Sequence, residues 1–337
     1  MLNLIKSNFV LKNIFSNIKT LIKLKILLYN KILLNKLNIN ITYYEEQYFL
    51  KEFNKKFGLN IENIKAEKME LKNKKLDNTI IDYLNKDVFK NLKYIYLSDN
   101  NINDIEGLSK VKFEALEVLN LSDNKISNIN ILEKVNFINL KVLNLSSNDI
   151  EDIEVLKNVK FEKLNILNLK TNKILNINVL EKVNFKNLKK LYLGYNKIEN
   201  IDVLKNTNFE KLEILNLNSN KINTIDVLAN VNFKELKELN LGYNDIRGII
   251  VLEKVEFKKL QKLCLASNYI DNIDILEKVD FKELKELDLR KNQISSIKVF
   301  TKVKFDKIEK IDISDNNFVK TIDVINLLKS KGFILFY

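Results

Sequence analysis

Leu116-Glu117-Val118-Leu119-Asn120-Leu121-Ser122-Asp123-Asn124-Lys125-Ile126 reads L-x-x-L-x-L-x-x-N-x-I, and this pattern returns every 24 residues. Its asparagines are Asn100, Asn124, Asn148, Asn172, Asn196, Asn220, Asn244, Asn268, Asn292 and Asn316. In L-x-L the leucines alternate and point to one side, as in a short strand. One unit is too small to bury them. Stacked units bury them in a continuous core, so a fixed period of this length predicts a solenoid. The repeated Asn has one carbonyl and one NH2. It can satisfy backbone groups of the turn after each strand, which predicts a buried, structural ladder.

The second half of the unit is equally regular. It carries Ile (Ile105 to Ile297), then Leu or Phe (Leu108 to Phe300), then Val (Val111 to Val303, with Thr207 the exception). Phe closes it at Phe113, Phe137, Phe161, Phe185, Phe209, Phe233, Phe257, Phe281 and Phe305. Asp202-Val203-Leu204-Lys205-Asn206 has a capping Asp followed by helix-like spacing, which predicts a short helix or 3-10 turn with the phenylalanines as a spine beneath it. Residues 64–91 form a degenerate capping unit that keeps Leu71, Leu76, Ile80, Leu84 and Phe89 but lacks the Asn. The regular array is expected over 92–320. A carboxy-terminal cap is expected over 321–337, with a helix at Asp323 to Lys331 and a last strand at Phe333 to Tyr337.

The unit resembles the leucine-rich repeat. That resemblance implies an α/β horseshoe with a parallel concave sheet and short convex helices or 3-10 turns. The I-x-x-I-x-x-L pattern is similar to intracellular repeats of phosphatase-regulatory scaffolds.

Residues 1–37 do not follow the repeat. Apolar residues recur at helical spacing, with Ser7 and Thr20 as candidate caps, so a helical segment is expected. The order Leu11, Ile14-Phe15-Ser16-x-Ile18, Leu21-Ile22, Leu24, Ile26-Leu27, Tyr29-Asn30-Lys31 resembles an F-box, although the Pro and terminal Trp of that family are missing. The resemblance implies that Leu11, Ile14, Phe15 and Ile18 dock a Skp-type adaptor of a cullin-type ubiquitin ligase. The alternative is a helical cap over the first repeat. Residues 38–63 are expected to form a bridging amphipathic helix containing Tyr48, Phe49, Leu50, Phe53 and Phe57 and ending near Gly58.

The 337 residues include no Pro, His or Trp, and the net charge is +12. The lysines spread around every repeat and Arg247 and Arg290 are the only arginines, so clustered charge for nucleic acid is lacking. A lysine-driven binder of nucleic acid or anionic membrane is the lesser alternative. One cysteine, Cys264, excludes an internal disulfide framework and fits a reducing compartment, cytoplasmic or nuclear. No apolar run reaches membrane-spanning length. Neither phosphate-binding glycine loops, nor a G-x-S-x-G nucleophile motif, nor a metal-ligand cluster is present, so a non-enzymatic protein without cofactors is expected.

Function is then expected on the concave face, where three outward strand columns begin at Tyr96, Ser98 and Asp99. Within them Tyr192, Tyr195 and Tyr243, beside Gly194 and Gly242, form a candidate protein-binding anchor. Tyr96, Arg290 and Lys291 are further candidates, since Tyr and Arg are enriched at interface hot spots.

Overall fold

The computed structural model describes residues 7–19, 22–23, 25–26, 33, 35, 37, 41–61, 67–86, 89–319 and 326. The leucine register becomes eleven three-residue strands: β1 Lys68–Glu70, β2 Tyr94–Tyr96, β3 Val118–Asn120, β4 Val142–Asn144, β5 Ile166–Asn168, β6 Lys190–Tyr192, β7 Ile214–Asn216, β8 Glu238–Asn240, β9 Lys262–Cys264, β10 Glu286–Asp288 and β11 Lys310–Asp312. They form one sheet in chain order. Every pairing is parallel and in register, as in Leu143↔Leu167. Parallel strands need a crossover, and each unit supplies one through its second half.

That crossover contains a single turn of 3-10 helix, from Glu106–Lys110 in the first unit to Lys298–Thr301 in the last. The expected capping Asp at 202 is corrected: Asp202 is the first residue of the turn, Ile201 holds the cap position, and Asn200 before it accepts the Asp202 N–H on Oδ1 at 2.7 Å. Asp104 and Asn272 accept the first N–H of their turns in the same way. Beneath these turns the phenylalanines are buried, with the rings of Phe113 and Phe137 stacked at 6.2 Å and Phe137 and Phe161 at 6.4 Å.

The asparagine ladder joins successive units. Asn148 accepts the Ile126 N–H at 2.9 Å and donates to the carbonyls of Leu121, Leu145 and Ser146. Each Asn thus holds its own turn and the preceding one, in a place where unpaired backbone groups would be costly.

The first sheet partner lies in the degenerate unit. Met69 pairs with Ile95, so this unit is longer than those that follow, and Asn100 reaches back to accept the Lys74 and Leu76 N–H groups. Helix α2 (Ile41–Phe57) ends at Gly58, whose φ of +63° suits glycine. Its Phe53 packs among Phe57, Tyr83 and Phe89, sealing the start of the array with aromatic rings. Helix α1 (Asn8–Ser16) is capped by Ser7, whose Oγ accepts the Val10 N–H. Leu11 and Phe15 form a separate small core with Leu33 and Leu37, against which Ile41 and Tyr44 at the start of α2 also pack. The cap expected over 321–337 lies outside the described residues, apart from residue 326.

Candidate protein-binding face

The concave surface is built from the residues that alternate with the buried leucines. Two of its columns lie on the strands themselves. One starts at Tyr94 and passes through Val118, Val142 and Ile166, and sequence reading missed it. The other runs from Tyr96 through Asn120, Asn144, Asn168 and Tyr192 to Cys264, Asp288 and Asp312. The missed column belongs to the strand by period two.

A second correction concerns the column from Asp99 to Asp315, which was expected on the strands. All ten residues have a left-handed backbone, with Tyr195 at φ +55°, Tyr243 at +57° and Lys291 at +54°. They form the turn that carries the chain off the sheet. Such a backbone costs non-glycine residues roughly 1 kcal/mol, less for Asn and Asp. Tyr195 and Tyr243 are 50% and 51% exposed, so they cover no core. Lys170 Nζ lies 5.0 Å from the Tyr195 ring centre. Tyr192 lies lower, on β6. Burial pushes its phenol above the ordinary value, and the nearby Glu238 charge adds to this. Tyr96 is half-buried on β2 with Lys68 over its ring at 5.3 Å.

Gly194 does not leave room for a partner. A Cβ there would collide with the Asn218 amide and come within 2.7 Å of Asn216 Oδ1, so the space is already occupied from within.

Further along, Tyr243, Arg290 and Lys291 line a cavity of about 340 Å³ together with Lys310, Asp312, Ser314 and Asp315. Arg290 donates to Asp288 at 3.1 Å and lies 4.0 Å from the buried Asp312. Burial raises the Asp288 carboxyl, while the Arg290 backbone N–H and guanidinium oppose the shift and Asp312 adds to it. Cys264 is half-buried with Sγ 3.7 Å from Asp288, and burial pushes its thiol up to about 11.

At the amino terminus the four adaptor-docking candidates separate. Leu11 and Phe15 are 1% and 4% exposed and used internally, Ile18 packs partly against them, and Ile14 is 39% exposed beside Val10. Among the described residues no helix is long and apolar enough to cross a membrane.

Sequence models of the leucine-rich repeat match residues 90–134 and 282–327, 186–246, and 138–153. No curated protein matches the chain. Among solved structures, an internalin (InlF) of Listeria monocytogenes is 22% identical with a TM-score of 0.60, covering 86% of this chain and 93% of its own. A chain from an octameric complex of latrophilin 3, Unc5D and the repeats of FLRT2 is 19% identical with a TM-score of 0.63, covering 82% and 85%. The plant peptide hormone receptor RGFR1, in complex with RGF2, is 22% identical with a TM-score of 0.55. There the match covers 70% of this chain but 38% of the receptor. At these identities the likeness is one of fold. Repeat register, eleven-stranded sheet and matched segments together make this chain a leucine-rich-repeat protein.

Proposed function

We propose that the chain is a non-enzymatic protein-interaction scaffold whose concave face holds a partner, anchored by Tyr192, Tyr195 and Tyr243 and by Arg290 and Lys291. One observation carries this reading. Tyr195 and Tyr243 are half exposed and sit at left-handed turn positions, where an aromatic residue has no structural advantage. The left-handed backbone recurs in every unit, but of its ten residues Tyr195 and Tyr243 alone place an aromatic ring in water. Eleven strands about 4.8 Å apart span roughly 48 Å, enough for a standard interface of about 800 Å² per partner. The fold is also that of proteins whose solved structures are complexes.

The test compares affinity capture by the full chain with capture by a Tyr195→Ser/Tyr243→Ser variant. Partners that accompany the wild type and vanish from the variant support the reading; an unchanged set overturns it.

In the finer form of this reading, residues 1–37 dock a Skp-type adaptor, making the protein a cytoplasmic substrate receptor of a ubiquitin ligase. The exposed pair Val10 and Ile14, four residues apart on α1, supports that form. Ile14→Asp should then remove adaptor and cullin while sparing the concave-face partner. Adaptor absent from the wild type leaves α1 as a cap.

A further inference from the structure

The concave sheet carries a strip on its strands that the turn tyrosines Tyr195 and Tyr243 do not occupy, with Tyr192 of β6 inside it. The first position of β2 to β5 is Tyr94, Val118, Val142 and Ile166, all half-buried on the floor of the face. β7 adds Ile214 to this column, whereas β6 and the strands from β8 onward carry charges there, such as Lys262, which pairs with Glu286 at 2.8 Å. Beside the apolar row stand Asn120, Asn144 and Asn168, and the same column continues with Asn216 and Asn240. Each Oδ1 accepts the backbone N–H two residues on: Ser122 at 2.9 Å, Ser146 at 3.1 Å, Lys170 at 3.1 Å, Asn218 at 3.1 Å and Gly242 at 3.0 Å. These bonds settle which amide atom is which. None of the five Nδ2 groups donates to another described residue. Tyr192 interrupts this column between Asn168 and Asn216, but the donors on β3, β5 and β7 (Asn120, Asn168 and Asn216) follow one another two strand spacings apart, beside the apolar Val118, Ile166 and Ile214.

A matching occupant must present backbone acceptors that are not already engaged. A β-strand laid across the sheet repeats on one face every ~6.8 Å, out of step with the donors. Polyproline II has three residues per turn and a 3.1 Å rise, so it repeats every ~9.3 Å against ~9.6 Å for two strand spacings. Its carbonyls make no internal hydrogen bonds. We propose that the strip across β3 to β7 binds a proline-rich segment of the partner in the polyproline II conformation, with apolar side chains over Val118, Ile166 and Ile214 and carbonyls on the amides of Asn120, Asn168 and Asn216. About seven residues would span the ~19 Å between β3 and β7. This rests on the protein-binding reading of the concave face and names the shape of its occupant.

The experiment uses the full chain and two labelled nine-residue peptides, (Leu-Pro-Pro)3 and its flexible counterpart (Leu-Gly-Ser)3, followed by fluorescence anisotropy. The variant is Asn120→Asp/Asn168→Asp/Asn216→Asp, which keeps each Oδ1 and removes each donor. The fold accommodates Asp here, because Asp288 and Asp312 accept the corresponding N–H groups of Arg290 and Ser314. The wild type should prefer the proline peptide. The triple variant should bind it about thirtyfold more weakly at unchanged thermal stability, at roughly threefold per lost hydrogen bond. Equal binding of both peptides, or unchanged binding by the variant, overturns the proposal. So does self-association of the wild type that the variant abolishes, which would make the strip a contact between copies. A control on the 3-10 turn side, Ile250→Ser, should leave peptide binding intact. Partner capture that depends on Tyr195 and Tyr243 but not on the asparagines would preserve the scaffold reading while this proposal fails.

Discussion

Asn220 accepts the Ile198 backbone N–H of the preceding unit at 2.9 Å, and its Nδ2 donates at 3.0 Å to the carbonyls of Leu193 and Leu217. One buried amide thus holds two units together. Asn220→Asp would aim a carboxylate at those carbonyls and should cost about 3 kcal/mol or more in denaturant unfolding. Asn144→Asp, on the concave face, should cost less than about 0.5 kcal/mol. Equal effects at the two positions would refute the division between ladder and surface asparagines.

Tyr195 bears the cost of its left-handed backbone without compensating burial. Asn tolerates that conformation, so Tyr195→Asn should stabilise the fold by about 0.5 kcal/mol. The same change should weaken partner capture. A loss of stability would mean that the ring supports the turn.

The spine residue Phe161 is fully enclosed, with its ring stacked on Phe137 at 6.4 Å. Phe161→Ala should cost roughly 3–5 kcal/mol, because the neighbouring units hold the cavity open. Urea titration monitored by circular dichroism reads this directly. A cost below about 1 kcal/mol would show that the array collapses around the gap.

Burial raises the folded-state carboxyl of Asp288 above its ordinary value of 3.8. The folded state then holds its proton more tightly than the unfolded state. This contribution is fully present below the ordinary value and is lost as pH rises through the folded one. Asp288→Asn, the residue type most units carry in that column, should remove this loss. The variant should gain stability relative to wild type at pH 7 compared with pH 3.5. A gain confined to acid pH would contradict the sign.

The Cys264 thiol, pushed up to about 11, is almost wholly protonated at pH 8. Alkylation by iodoacetamide in the folded protein should be about a hundredfold slower than in denaturant, since the thiolate is the nucleophile. Equal rates would place the sulfur in open water.

Much of this molecule was legible in residue order. Leu119, Leu121, Asn124 and Ile126 repeat at a spacing that only stacking can satisfy, so the solenoid, the buried asparagines and the phenylalanine spine follow from local periodicity. The binding face was less legible. Whether Tyr195 lies on a strand or in a left-handed turn depends on where the chain leaves the sheet, and alternation alone does not mark that point. The column of Val118 and Val142 went unassigned, because side-chain type does not reveal which side of a sheet a residue faces. Leu11 and Phe15 matched a docking motif, yet they are enclosed by Leu33 and Leu37. Periodicity sets which residues share a column. Contacts between units distant in the chain determine which columns meet solvent and which amides keep a free donor.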